Sequence, residues 1–181
     1  SGGTVTIAGT NTGAITGSGT AAITIAGTGT QVGDVVQGGS GATDVSGTLT
    51  GNFSNTGAAA ATVTGAVSGD LAQSGVGSVN LDGTVGGTVT ASGGTMTIAS
   101  TNVGALSVQS GGNVTIDGAR TIGGATVAPG GTLAVTAALP TDVTNAGTAT
   151  RAADATHPTT QNGGPPPFPG ATTLAPLTTD E

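Results

Sequence analysis

The sequence predicts an all-β fold, a three-sided β-solenoid of about eight coils followed by a proline-rich tail. Three observations predict it. A repeat of about 18 residues runs through most of the chain, each repeat carries three short apolar segments, and glycine follows most of these segments. One such coil cannot bury its own apolar row, but stacked coils bury a continuous one.

The repeat is plainest where the letters TIAGT at residues 6–10 recur at residues 24–28. Following that register gives a first series of apolar positions about one coil apart, each expected to point into the core because strand side chains alternate between faces. The series is Ile7, Ile25, Val45, Val63, Leu81, Ile98, Ile116 and Val135.

Two further apolar series share this spacing and predict the other two sides of the solenoid. The second series is Ile15, Val32, Leu49, Val67, Val85, Val103 and Ile122. The third is Val35, Phe53, Leu71, Val89, Leu106 and Ala125, and we expect Phe53, Leu71 and Val89 to belong to the structural core together with the first series. Inward positions do not recur every six residues, as left-handed hexapeptide helices require, so we expect the right-handed form.

The predicted solenoid covers residues 1–139, and residues 140–181 form a separate tail. Seven of the eight prolines lie at or beyond Pro140. Proline-rich segments are extended and cannot donate ladder hydrogen bonds. The tail is either a flexible linker or an arm that docks on a neighbouring subunit through Phe168, Leu174 and Leu177.

The composition excludes several function classes. Charged residues are 6% of the chain, the net charge is -7, and there are two Phe but no Trp, Tyr or Cys. Such a chain cannot neutralise a phosphate backbone, so we expect no nucleic-acid partner. It has no thiolate ligands, no aromatic platform for a sugar, and no apolar stretch long enough to span a membrane. A surface or carbohydrate ligand is left open.

The few acidic residues do not predict an active site. Asp34, Asn52 and Asp70 fall in one outward row on successive coils, and Asp82 and Asp117 fall in another. A separation of about 9.5 Å over two coils lies within the range for inverting glycosidases, but the flanking residues are small and polar. The carboxylates do not follow the calcium-repeat order, and His157 is the single histidine. We therefore expect no enzyme, no metal and no cofactor.

Threonine ladders raise an alternative function, the binding of ice by a flat face. In the predicted register, however, both outward positions of the first side are threonine in only two coils, at Thr4/Thr6 and Thr95/Thr97. Threonine is also simply a β-branched residue that suits exposed strand positions.

Residues 92–98, 111–118 and 127–135 resemble the passenger repeats of bacterial autotransporter adhesins in composition and repeat style, and the likeness covers roughly residues 3–139. Some S-layer proteins have a similar composition, and bactofilins a similar layout. The resemblance implies a solenoid displayed on the surface of a bacterial cell, without an enzymatic site of its own.

From these observations we expect a non-catalytic extracellular structural or adhesive protein. Residues 1–3 lead directly into a predicted strand with no charge or capping helix. Unpaired strand edges template pairing with another chain unless they are blocked. The sequence therefore predicts end-to-end assembly of identical copies into a fibre, or else excision from a longer solenoid.

Overall fold

The protein is a β-solenoid of stacked coils, each as long as one sequence repeat, which confirms the predicted fold class. The computed structural model describes residues 2–99, 102–117, 121–136, 143–151 and 159–161. Within these ranges every strand pairing is parallel and no residue is helical. Each of the first four circuits of the chain contributes one strand to each of three faces.

Face one is a parallel sheet of nine strands, about 40 Å long at the usual strand spacing. Its strands are β1 (Thr4–Ile7), β4 (Ala22–Ile25), β7 (Thr43–Val45), β10 (Ala60–Val63), β13 (Ser78–Leu81), β15 (Thr95–Ile98), β17 (Asn113–Ile116), β20 (Thr132–Val135) and β22 (Thr148–Arg151).

Faces two and three form one 14-stranded sheet that bends at the corner between them. Face two contains β2 (Thr10–Thr12), β5 (Thr30–Val32), β8 (Thr48–Thr50), β11 (Ala66–Val67) and β18 (Thr121–Ile122). Face three contains β3 (Ile15–Gly17), β6 (Val35–Gln37), β9 (Phe53–Asn55), β12 (Leu71–Gln73), β19 (Ala125–Val127), β21 (Val143–Asn145) and β23 (Thr159–Gln161). Two longer strands, β14 (Thr84–Ala91) and β16 (Asn102–Val108), cross both faces.

We number the coils from the amino-terminal end. The first coil is β1–β3, the second β4–β6, the third β7–β9, the fourth β10–β12, the fifth β13–β14, the sixth β15–β16 and the seventh β17–β19. The pairing register advances by nearly the same step from coil to coil, as in Thr4 with Ala22 and Asn80 with Thr97.

The core is a set of apolar columns that run the length of the stack. The first series lies in one column of face one, where each member pairs with the next. All of its members are buried except Ile7, which is partly buried because its strand lies at the edge of the sheet. Phe53, Leu71 and Val89 lie in register on face three and are fully buried.

The predicted second series is wrong at its first two positions. Gln31, not Val32, pairs with Leu49 and points inward, and Val32 is 37% exposed. The inward residue of face two in the first coil is Asn11, which pairs with Gln31. Ile15 pairs with Val35 and so belongs to face three. Face two therefore begins with two amides before its column becomes apolar.

Strand pairing continues beyond residue 139, where the sequence predicted the solenoid to end. Strand β22 pairs with β20, β21 pairs with β19, and β23 pairs with β21. Phe168, Leu174, Leu177 and His157 lie outside the described residues. The right-handed sense of winding stays a prediction.

Glycine is required at the corner between faces one and two because successive coils approach closely there. A Cβ placed on Gly65 would collide with the carbonyl oxygen of Gly47, and one on Gly83 would collide with that of Gly65. Each of these contacts is with backbone, so no side-chain movement could relieve it.

Candidate functional site

Three polar features stand out from the apolar stack and are the candidate sites of the molecule. One is a column of buried amides on face three. The second is a row of Asp and Asn side chains at the corner between faces two and three. The third is the outward surface of faces one and two, which is rich in threonine.

The buried column occupies the second inward position of face three. Gln37, Asn55 and Gln73 stack in register on the second, third and fourth coils, and each is 0% exposed. The same position is Gly17 in the first coil and Ala91 in the fifth. Because a buried amide costs free energy unless it is hydrogen-bonded, the partners of these three side chains decide what the column does.

Each amide closes the corner at which face three of its own coil leads into face one of the next coil. Gln37 Nε2 donates to the carbonyl of Gly41 at 2.8 Å, Asn55 Nδ2 to that of Ala59 at 2.9 Å, and Gln73 Nε2 to that of Gly77 at 3.1 Å. The acceptor is four residues after the donor in every case. In each corner the side chain thus supplies the N–H donor for this carbonyl. We call these three corners the amide corners.

The amides also bond to their surroundings along the stack. Asn55 Nδ2 donates to Gln73 Oε1 at 2.7 Å, which joins the third coil to the fourth. Gln37 Nε2 donates to the carbonyl of Ala21 at 2.9 Å, which joins the second coil to the first. Asn55 Oδ1 is buried and has no hydrogen-bond donor among the described residues. The column is therefore interrupted between Gln37 and Asn55.

A second amide pair joins the first two coils on face two. Asn11 Nδ2 donates to Gln31 Oε1 at 2.7 Å, and Gln31 Nε2 donates to the carbonyl of Gly13. Gln31 is 0% exposed, whereas Asn11 is half-buried at the edge of the stack. Polar contacts therefore link the first coil to the second at two places in the interior.

In the exposed row at the corner between faces two and three, side chains again form hydrogen bonds with the backbone, here on the surface. Asp34 Oδ1 accepts the backbone N–H of Asn52, Asn52 Oδ1 accepts that of Asp70, and Asp70 Oδ1 accepts that of Thr88, each at 2.8 Å. The side chains replace ladder hydrogen bonds where the chain turns. Because they accept these backbone hydrogen bonds, the carboxylates of Asp34 and Asp70 have a structural role.

The remaining described carboxylates also lie apart from one another. Asp44 accepts a hydrogen bond from Ser46 Oγ at 2.7 Å on face one, and Asp117 accepts one from Thr136 Oγ1 at 3.3 Å. Asp82 follows β13 at the corner between faces one and two. In the described part of the chain, no three His, Cys, Asp or Glu residues come together as a metal site, and no helix is long and apolar enough to cross a membrane.

The outward surface of face one carries small polar side chains in two columns. Both positions are threonine at Thr4/Thr6, Thr95/Thr97 and Thr148/Thr150, and the pairs between them contain Ala, Ser, Asn or Asp44. The array is therefore chemically irregular.

Face two carries the more regular array. Its outward pairs are Thr10/Thr12, Thr30/Val32 and Thr48/Thr50 on three consecutive coils, all exposed except the half-buried Thr30. We call these six residues the face-two array. Its spacing is about 4.8 Å along the stack and about 6.7 Å along the strand. It ends at the fourth coil, where Ala66 pairs with Thr48.

The sequence located the row of Asp34, Asn52 and Asp70 correctly on successive coils, but it missed the buried amides and the face-two array. Both had a signal. Gln37, Asn55 and Gln73 recur at the spacing of the repeat. The triplet Thr48-Leu49-Thr50 also aligns with Thr10-Asn11-Thr12, which puts Asn11 and not a threonine inside.

Comparison with protein-family models, with curated proteins and with solved structures found no match to this chain. The resemblance to autotransporter passenger repeats therefore stays a prediction.

Proposed function

We propose that this chain is a non-catalytic structural rod, a subunit of an extracellular fibre or matrix or an adhesive solenoid, which associates end to end with other copies. The observation that carries the proposal is the apolar edge of the first described coil. Strand β1 pairs with β4 alone among the described strands, and its inward Val5 is 42% exposed.

The geometry favours stacking over lateral docking. All described strands run parallel and in register, so the edge of the first coil presents backbone groups spaced for another parallel coil. A heterologous contact of this kind does not close on itself, and it produces an open fibre. The structural roles of Asp34 and Asp70 support a non-catalytic function, since each carboxylate bonds to the backbone of the next coil.

The test uses two neighbouring substitutions that add the same charge in opposite directions. Val5→Lys places an ammonium group where a stacked coil would bury it, whereas Thr6→Lys, on the exposed outward surface, leaves the charge in solvent. Electron microscopy and sedimentation should show fibres about one solenoid wide for the original chain and for Thr6→Lys, and short or monomeric species for Val5→Lys. A chain that stays monomeric well above micromolar concentration would contradict the proposal.

A second candidate function, ice binding, is favoured by the face-two array. Six β-branched side chains in a two-by-three lattice, without charge, are more regular than the outward pairs of face one. Thermal hysteresis and the shaping of ice crystals measure this activity directly. Thr48→Lys, within the array, should abolish it if face two binds ice, and Thr97→Lys on face one is the matched control. Absence of thermal hysteresis in the original chain would remove this candidate.

A further inference from the structure

The contact between the first and second coils is more polar than the contact between the fifth and sixth coils. We call the former the first seam. Two of its inward pairs contain polar or missing side chains, Asn11 with Gln31 and Gly17 with Gln37. At the seam between the fifth and sixth coils, every inward pair among the described residues is apolar; the pairs are Val79/Met96, Leu81/Ile98, Val85/Val103, Val89/Leu106 and Ala91/Val108.

Gln37 holds the first seam from the side of the second coil. Its Nε2 group has two N–H donors, and these reach the carbonyl of Ala21 in the first coil and that of Gly41 in its own corner. Gly17 has no side chain, and a Cβ there would lie 2.6 Å from Gln37 Oε1. The first coil therefore leaves space for the Gln37 amide and accepts its hydrogen bond.

Asn55 lies next to Gln37 on the other side, in the third coil, and its buried Oδ1 has no donor among the described residues. A buried unsatisfied acceptor costs free energy and calls for an explanation. In the closed seam the neighbouring Gln37 amide gives its N–H groups to the carbonyls of Ala21 and Gly41. If the first seam separates, the N–H bonded to Ala21 is released, and Ala21 gains solvent in place of its partner.

We propose that the first seam is a built-in opening point of the solenoid, at which Gln37 exchanges its hydrogen bond to Ala21 for one to Asn55 Oδ1. Opening here separates three inward apolar pairs, against five at the seam between the fifth and sixth coils, and the buried amide keeps both of its donors satisfied. The described inward residues at the seam between the fifth and sixth coils are apolar and offer no such exchange of hydrogen bonds. Opening of the first seam does not require that the rod associates end to end.

Native-state hydrogen exchange tests this proposal in the original chain, because amides that bond across a seam exchange when it opens. The first seam is reported by the N–H groups of Gly13, Ala26 and Gly38, which donate to Val32, Ile7 and Gly17. The reference seam is reported by Ala99 and Gln109, which donate to Leu81 and Ala91. We expect the first set to exchange at least tenfold faster, and equal rates would overturn the proposal.

The variant Asn55→Leu gives the sharper result, because it removes the acceptor to which Gln37 turns. Opening of the first seam then loses the bond to Ala21 with nothing in return. We expect exchange at Gly13, Ala26 and Gly38 to become about tenfold slower, equivalent to about 1.4 kcal/mol. Exchange at Ser74, which donates to the Asn55 carbonyl, should become faster, since Ala59 and Gln73 lose their donor.

The control is Gln73→Leu, which damages the same amide column but leaves Gln37 and Asn55 Oδ1 in place. It should accelerate exchange around the fourth coil without slowing it at the first seam. A purely structural role for Asn55 predicts no slowing in either variant. Unchanged or faster exchange at the first seam in Asn55→Leu would therefore contradict the proposal, and the comparison of seams in the original chain decides the matter if the variant does not fold.

Discussion

The corners between faces three and one are built in two ways in different parts of the rod. In the second to fourth coils a buried Gln or Asn side chain donates to a carbonyl four residues ahead. In the sixth and seventh coils the backbone closes its own turn: Gly112 N–H donates to Gln109 at 3.0 Å, and Gly131 N–H donates to Ala128 at 2.9 Å. We call the latter the turn corners.

The two designs place different demands on the residue inside. The turn corners contain Gly111 at φ 86° and Gly130 at φ 80°, which is the conformation that a type II turn needs at its third position. Because the turn satisfies its own carbonyl, the inward residue can be apolar, and it is Val108 or Val127. The amide corners contain no glycine with positive φ, so the side chain must supply the donor. Corner chemistry and core composition are therefore linked.

The largest effect should come from a buried charge, which neither design can accommodate. Leu81 is 0% exposed in the apolar column of face one. Leu81→Asp places an unpaired carboxylate there, and we expect loss of the folded state, with a cost above about 5 kcal/mol. Circular dichroism would show loss of the strand signal. The adjacent Asn80→Asp, on the exposed side of the same strand, should stay folded.

Removing an amide should have the next largest effect. Gln73→Leu leaves the carbonyls of Gly75 and Gly77 and the Asn55 amide without their partner. We expect a loss of about 2–4 kcal/mol in urea unfolding, since each unsatisfied buried group costs about 1–3 kcal/mol.

The reciprocal change at a turn corner is Val127→Asn. The Ala128 carbonyl already accepts from Gly131, so the new amide finds no prepared acceptor. It should cost about 1–3 kcal/mol. If either Val127→Asn or Gln73→Leu leaves the free energy of unfolding unchanged, the proposed difference between amide corners and turn corners is contradicted.

The glycines of the two corners should respond differently to substitution. A Cβ on Gly57, in an amide corner, would collide with the Gly39 carbonyl oxygen, so Gly57→Ala should cost about 1–3 kcal/mol. At Gly130 the nearest atom is the movable Ser110 Oγ, and the cost of Gly130→Ala, about 1 kcal/mol, comes from its positive φ.

Asparagine separates the two causes, because it tolerates positive φ better than alanine does. Gly130→Asn should be milder than Gly130→Ala, whereas Gly57→Asn should be at least as damaging as Gly57→Ala. Thermal denaturation of the four variants measures these costs. If alanine and asparagine rank in the same order of stability at both positions, then steric collision at Gly57 and positive φ at Gly130 are not separate causes.

The smallest effect is expected where the hydrogen bond between a side chain and the backbone is exposed to solvent. Asn52 is exposed, and its Oδ1 accepts the Asp70 N–H. Water can replace this bond, so Asn52→Ala should cost about 0.5–1.5 kcal/mol, less than Gln73→Leu. A cost equal to that of Gln73→Leu would mean that burial is not what makes the amide corners sensitive.

The sequence predicted the repeat length, the three faces and most of the core, because apolar residues recur at one spacing. It failed where a polar residue lies inside. Val32 is more apolar than Gln31, so hydrophobicity alone chose the wrong neighbour, and it passed over Gln37, Asn55 and Gln73 entirely. The partners that make these amides acceptable are carbonyls at the corners, and their direction depends on backbone conformation that composition does not encode.

The most direct test of the two-corner account is hydrogen exchange of side-chain amides, observed by NMR. The NH₂ groups of Gln37, Asn55 and Gln73 are buried and hydrogen-bonded, whereas Gln109 lies exposed in a turn corner. We predict that the first three exchange with solvent far more slowly than Gln109 in the same sample. Exchange of all four at the rate of Gln109 would show that the amides do not close the corners from inside.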